Sequence, residues 1–286
     1  MRRALIAGCG YLGRAIADLL KVDGWAVEGW TMSPDSAREL SVAGCSAHNV
    51  DISSPNDVGA RKSHFDVVIH SASTRGGDAD AYRSVYLDGA RNLLETFPGA
   101  RVIFVSSTSV YAQTDGAWVT EESPAEPRHE TGKILRESED LVRTNAGIIV
   151  RLAGLYGPGR SALLRKFLAG EATIDRSDDR FINQIHRDDA AVAILFLIQR
   201  EKSNAGIYNL VDNEPVLLSE CYRWLANALN QSIPPTAKPT SPRKRGDSNK
   251  RVSNEKLRSL GWTPKYPSFA DGISKSVLQS SGKSDS

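Results

Sequence analysis

Gly8-Cys9-Gly10-Tyr11-Leu12-Gly13 follows the short apolar run Ala4-Leu5-Ile6-Ala7 and opens a segment, Leu12 to Val22, with apolar residues at Leu12, Ile16, Leu19 and Leu20. The run reads as a buried strand, and the spacing after it reads as a helix. A G-x-G-x-x-G at such a junction has a physical use. Gly8 permits the tight turn, Gly10 lets the backbone approach a pyrophosphate, and Gly13 lets helix and strand pack closely. The helix N-terminus, at Tyr11 and Leu12, offers N–H groups and a partial positive charge to the anion. The stretch predicts a dinucleotide-binding strand–turn–helix unit.

The second strand is read at Ala26-Val27-Glu28-Gly29-Trp30. The group that reads the adenosine ribose belongs at its end, where an Asp or Glu favours NAD and an Arg accommodates the phosphate of NADP. Thr31, Met32 and Ser33 occupy that turn, and the nearest cation in sequence is Arg38. Glu28 lies inside the strand and is a poor ribose ligand. The cofactor expectation is NAD or NADP, leaning to NADP, with Thr31 and Ser33 as contacts. Asp51, after the short strand His48-Asn49-Val50, reads either as an acceptor for an adenine amino group or as a turn residue before Ser53-Ser54-Pro55.

Three further apolar runs, Phe65–His70, Arg101–Val105 and Ile148–Leu152, alternate with helical stretches at Tyr82–Phe97 and Thr131–Arg143. Near-continuous apolar strands alternating with helices predict a Rossmann-type α/β fold, a doubly wound parallel sheet covered on both faces. Ligands then sit beyond the carboxyl ends of the strands. That rule singles out Ser71-Ala72-Ser73, Ser106-Ser107-Thr108 and the turn from Gly154 through Tyr156 to Gly159.

The chain has 286 residues and a formal net charge of +2, too small to argue for nucleic acid or an anionic membrane surface. No apolar run approaches the roughly 18–20 residues of a membrane span. Cys9, Cys45 and Cys221 make neither a disulfide framework nor a zinc site. His186 with Asp188 and Asp189 reads as helix capping and not as a metal site, and His70 as a packed histidine. The expectation is a cytoplasmic protein without a metal.

Together these residues resemble the extended short-chain dehydrogenase/reductase superfamily, in particular its NAD(P)-dependent epimerase/dehydratase family. Beyond the glycine turn the likeness rests on Val68–Ala72, Val105–Tyr111, Thr120–Pro124, Arg151–Gly159, Ile185–Asp189, Gly206–Asn209 and Leu260-Gly261-Trp262. The resemblance implies a dinucleotide domain over 1–156 to which 184–212 returns. It also implies a smaller substrate lobe from 157–183 and 213–279, and the 280–286 tail is expected to be disordered. A small oxygenated substrate, such as a nucleotide-sugar, is implied as well, and a homodimer is an expectation of the same kind.

The family's reaction moves a hydride between a nicotinamide and a carbon bearing oxygen. A Tyr-x-x-x-Lys pair does the proton work, and a Ser or Thr holds the substrate oxygen. Residues four apart share a helix face, so the lysine cation can favour tyrosinate. Lys133 matches the lysine and Ser107 the hydroxyl, but the tyrosine position holds His129. Three readings compete: His129 carries the proton, another phenol (Tyr111 or Tyr156) does so, or the site senses a nucleotide without redox chemistry. Ser232–Arg251, with four prolines and several cations, reads as an exposed loop, from which Lys250 or Arg251 could pair with a substrate phosphate.

Overall fold

The computed structural model describes residues 1–74, 76–200, 205–238 and 248–281. The first part of the chain alternates as predicted: β1 (Arg3–Ala7), α1 (Tyr11–Val22), β2 (Ala26–Thr31), α2 (Pro34–Val42), β3 (Ser46–Asn49), α3 (Pro55–Gly59) and β4 (Val67–His70). There follow α4 (Ala79–Tyr82), a π-helical stretch (Arg83–Asp88), α5 (Gly89–Thr96), β5 (Arg101–Ser107) and a 3₁₀ turn (Thr108–Val110). Next come β6 (Trp118–Val119), α6 (Glu130–Thr144), β7 (Ile148–Leu152), β8 (Gly154–Tyr156), α7 (Ala162–Leu168), β9 (Phe181–Ile182) and β10 (Gln184–His186). The chain continues through α8 (Arg187–Gln199), β11 (Gly206–Leu210), β12 (Val216–Leu217) and α9 (Leu218–Ala228). It ends with β13 (Arg251–Val252), α10 (Glu255–Ser259), α11 (Phe269–Gly272), a second π-helical stretch (Ile273–Val277) and α12 (Leu278–Ser281).

Seven strands form one sheet in the order β11-β7-β5-β4-β1-β2-β3. Sequence order reverses direction between β1 and β4, with β1 parallel to both β2 and β4. This is the switch point of a doubly wound sheet, where a crevice opens past the carboxyl ends of two neighbouring strands. The strand interiors are dry on both faces: Ala4 through Ala7, Val68 and Ile69 are fully buried, which is why their sequences run apolar instead of alternating.

The helix read at Tyr82–Phe97 starts earlier, at Ala79, and its middle is π-helical. The cause is His70. Its Nε2–H donates to the Val85 carbonyl at 2.9 Å, so a buried side chain takes a group belonging to the helix's own ladder. Asp188 and Asp189, read as helix-capping residues, lie inside the first turn of α8, which begins at Arg187.

The chain divides into two units. The first comprises 1–110, 125–151 and 190–208, and it holds the seven-stranded sheet except for the last residues of β7 and β11. The second comprises 111–124, 152–189 and 209–286. Its core gathers Tyr156, Leu164, Phe167, Cys221, Tyr222, Leu225, Phe269 and Ile273. Of the sequence expectations, the middle of the cationic loop (239–247) and the end of the tail (282–286) lie outside the described residues.

Candidate dinucleotide site

The glycine turn sits at the switch point. Gly8 takes φ of +96°, in the left-handed region, and a Cβ there would lie 2.1 Å from the Ala72 nitrogen. The turn leading out of β1 and the loop leaving β4 therefore meet backbone to backbone, a contact only glycine allows. Ser71 fixes it further, its Oγ donating to Gly8 O at 3.0 Å. A Cβ on Gly13 would lie 2.7 Å from Gly8 O and 3.0 Å from Ile6 Cγ2, so α1 is packed tightly onto the turn. Gly10 differs: nothing lies within 4 Å of where its Cβ would be.

How the helices start supports the same picture. Ser33, Ser54 and Ser161 cap α2, α3 and α7 by accepting from a backbone N–H in the first turn. At α1 the cap position is Gly10, with no side-chain cap, and no acidic residue lies in the first turn. A helix with an uncapped N-terminus, open space over its cap residue and no competing carboxylate suits an anion. The residues present thus fit a dinucleotide pyrophosphate at Gly10-Tyr11-Leu12-Gly13.

The adenosine side is ordered by hydrogen bonds. Thr31 Oγ1 accepts from the Ser33 N–H at 3.3 Å. Ser33 spends its hydroxyl capping α2. Arg38 pairs with Asp35 on the exposed face of α2. Asn49, which the sequence reading passed over, donates to Met32 O at 2.7 Å and to Thr31 O at 3.2 Å, tying the end of β3 across the turn after β2. A polar amide ending an otherwise short strand was the signal for it. Asp51 Oδ1 accepts from both the N–H and the hydroxyl of Ser53, at 2.9 and 2.7 Å, so one of its oxygens is held as an Asx turn.

The proposed chemical residues are dispersed over β5 and α6. Ser107 ends β5, and its Oγ accepts from the Ser109 N–H at 3.1 Å. His129 is the cap residue of α6, exposed and without a side-chain bond to the helix. Lys133 is exposed, one turn further on, and pairs with Glu130 at 3.5 Å. Behind them lies a buried ion pair that the sequence reading did not single out. Arg151 donates to Glu139 from Nε and Nη2, with the Nη2 contact at 2.7 Å, and Ser106 donates to the same carboxylate at 2.6 Å. Arg136 also reaches it. Glu139 and Arg151 are 1% and 2% exposed, so α6, β5 and β7 are tied together by a buried paired charge.

Two expected contacts are not met. Tyr156 is enclosed in the core of the second unit, its hydroxyl donating to Ser268 O at 3.2 Å and its ring edge-on to His186. Burial, and after it the Asp212 and Asp189 charges, hold the phenol above its ordinary range. It offers a dinucleotide no surface. Tyr111 is likewise fully buried and donates to Asn209 Oδ1 at 2.9 Å. The two phenols weighed as proton carriers in place of a tyrosine at position 129 are therefore packing residues. Lys250 is buried and donates to Tyr111 O at 2.9 Å, with its ammonium pushed down to about 8 by burial and then by Arg180. Arg251 donates to Gly116 O and lies over the rings of Trp118 and Phe181.

The sequence profile of the NAD dependent epimerase/dehydratase family matches residues 4–210. The chain belongs to that family. Among its relatives, Protein YeeZ of Escherichia coli K12 is 29% identical over 280 residues, covering 93% of this chain and 97% of that protein. A Streptomyces 3-diazoavenalumate denitrifying reductase is 26% identical over 214 residues, covering 66% of this chain and 69% of that one. A solved structure from Methylobacillus flagellatus, provisionally assigned as an NAD-dependent epimerase/dehydratase, is 30% identical with a TM-score of 0.80, covering 98% and 99% of the two chains. The NAD complex of Thermus thermophilus UDP-glucose 4-epimerase shares the fold, at 22% identity, a TM-score of 0.83 and 99% coverage of each chain.

Proposed function

We propose that the protein is an NAD- or NADP-dependent oxidoreductase of the epimerase/dehydratase type acting on a small oxygenated substrate of the nucleotide-sugar kind. The observation that carries this reading is the uncapped start of α1 with open space over Gly10. In it, Gly8, Gly10 and Gly13 shape the pyrophosphate seat, with Tyr11 and Leu12 supplying first-turn N–H groups. Thr31 and Asp51 face the adenosine, and Ser71, Ala72 and Ser73 line the β4 side. When bound, the nicotinamide supplies or accepts a hydride.

The remaining steps fall to this chain's own side chains. Ser107 already accepts a hydrogen bond from the Ser109 N–H, which leaves its hydroxyl proton for a substrate oxygen. Lys133 orients the nicotinamide ribose after exchanging its Glu130 contact for a ribose hydroxyl. His129 is the cap residue one turn before Lys133, in extended backbone conformation, and has an exposed imidazole. An imidazole is the commonest side-chain proton carrier in general acid–base catalysis, and this one is given that role here. For the phosphate state of the cofactor, the lean to NADP rests on Arg38, which must release Asp35 to reach a 2′-phosphate.

Calorimetric titration with NAD and NADP in both oxidation states, followed by turnover of a nucleotide-sugar panel, tests the reading. His129→Ala should lower kcat roughly 10²–10⁴-fold while leaving dinucleotide affinity unchanged. Unchanged turnover removes His129 from the mechanism. Equal affinity for oxidised and reduced forms with no hydride transfer replaces the enzyme by a nucleotide-sensing protein.

A further inference from the structure

Away from the dinucleotide seat, at the other end of α1, Lys21 Nζ lies 2.6 Å from Cys45 Sγ. Lys21 is in the last turn of α1. Cys45 closes the turn after α2, where Gly44 takes φ of +75° and the Cys45 N–H donates to Leu40 O at 3.0 Å. Both residues are anchored by backbone, and both belong to the first unit. Nitrogen-to-oxygen hydrogen bonds span about 2.7–3.2 Å, and sulfur is a larger atom than oxygen. This nitrogen and sulfur are thus closer than a hydrogen bond between them requires. The separation is that of two atoms with room for a single shared atom between them.

The surroundings narrow what that atom can be. Lys21 forms no ion pair with a carboxylate among the described residues, and its other contact is Gly44 O at 3.4 Å. Cys45 is half-buried, open enough for a small oxidant to reach. Cys9, the neighbouring thiol, is 1% exposed and pushed up to about 12, first by burial and then by Cys45. A thiol so buried is a poor nucleophile, which leaves Cys45 and Lys21 as the reactive pair.

We propose that Lys21 and Cys45 are a redox-modification site at which dioxygen closes a covalent N–O–S bridge between the lysine nitrogen and the cysteine sulfur. The balance is complete with one dioxygen. The thiol S–H and one N–H of the lysine nitrogen break, and S–O and O–N bonds form. One oxygen atom becomes the bridge, and the other leaves as water with the two released hydrogens. Sulfur and nitrogen each give up two electrons, and dioxygen takes up all four. The bridge clamps the end of α1 to the turn before β3 and closes a loop between positions 24 apart in sequence. Such a cross-link stabilises chiefly by restricting the unfolded chain.

The test uses the full chain purified in parallel with and without air. The aerobic protein should yield a linked peptide pair joining Lys21 to Cys45, heavier than the two free peptides by one oxygen less two hydrogens. Its melting temperature should rise by roughly 5–10 °C. Lys21→Arg and Cys45→Ser should abolish both changes, and Cys9→Ser should keep them. Unlinked peptides in the aerobic protein, a Cys45 oxidation that persists equally in Lys21→Arg, or a Cys9–Cys45 disulfide each overturn the proposal.

Discussion

Replacing Gly10 and Gly13 separately by alanine distinguishes a site for an anion from a merely tight turn. At Gly10 the backbone has φ of −92°, and an added Cβ meets nothing within 4 Å. The fold should therefore absorb Gly10→Ala within about 1 kcal/mol, a change in melting temperature of at most about 4 °C for a domain of this size. At Gly13 the same methyl would stand 2.7 Å from Gly8 O and 3.0 Å from Ile6 Cγ2. Overpacking of this kind costs about 1–3 kcal/mol, or roughly 2–12 °C. Gly10→Ala puts a methyl where a pyrophosphate oxygen would meet the backbone, whereas the Gly13 methyl pushes against Gly8 O and so displaces the turn that presents the first-turn N–H groups. Losing one charge-assisted hydrogen bond costs about 1.5–3 kcal/mol, so dinucleotide affinity should fall roughly 10–100-fold. Calorimetric titration with NAD, read beside thermal melts, gives both quantities for each variant. The expected pattern is a binding defect in both and a stability defect in Gly13→Ala alone. Wild-type affinity in Gly10→Ala refutes the pyrophosphate seat, because the space over Gly10 would then have no ligand to lose. A Gly10→Ala protein melting as low as Gly13→Ala refutes the geometry.

Two further perturbations probe what holds the site. His70 is fully buried, donates to Val85 O, and is pushed down to about 4 by burial. Its folded value lies below the unfolded value near 6.5, so the unfolded chain binds the extra proton between the two. The His70 contribution is complete above about pH 6.5 and is lost as pH falls to about 4, by about 3 kcal/mol in all. Denaturant unfolding at a series of pH values should show this fall in the wild type and its loss in His70→Gln; identical pH profiles would remove the assignment. Glu139→Gln should leave the Arg151 guanidinium buried without its anion and cost about 3–5 kcal/mol, a drop on the order of 10 °C. The double variant Glu139→Gln with Arg151→Met should recover much of that loss, whereas additive losses would show that the two side chains act independently.

How much the sequence discloses depends on which interactions are local. The glycine turn is legible because its three requirements (a left-handed φ at Gly8, contact at Gly13, open space at Gly10) each exclude a side chain, and exclusion leaves a mark in sequence. The β1, β4 and β5 runs are legible because a sheet covered on both faces removes polar residues from its strands. The Glu139–Arg151 pair was hidden because its partners lie 12 positions apart on different elements, and a charged residue in sequence looks the same whether solvated or enclosed. Tyr156 was misplaced for the opposite reason. The strand-end rule put it beside the dinucleotide, but the residues that enclose it, Ser268 and Phe269, arrive more than a hundred positions later.

If His129 stands where the resemblance implies a tyrosine, the proposed function bears on the kind of reaction as well as on its rate. An epimerase or dehydrogenase step on an alcohol needs a base strong enough to take a hydroxyl proton while the hydride leaves, and a lysine-assisted tyrosinate is such a base. Imidazole as a chemical group is a weaker base than a phenolate. It serves better in the reverse sense, where a hydride is delivered to an electrophilic acceptor and only a late, weakly demanding protonation remains. Within the proposed function, the arrangement at Ser107, His129 and Lys133 therefore favours reduction over oxidation of the substrate. Turnover measured from both directions separates the two: a kcat for dinucleotide oxidation well above that for alcohol oxidation across pH 6–8 fits the imidazole, and the opposite ratio requires a stronger base that these three residues do not supply.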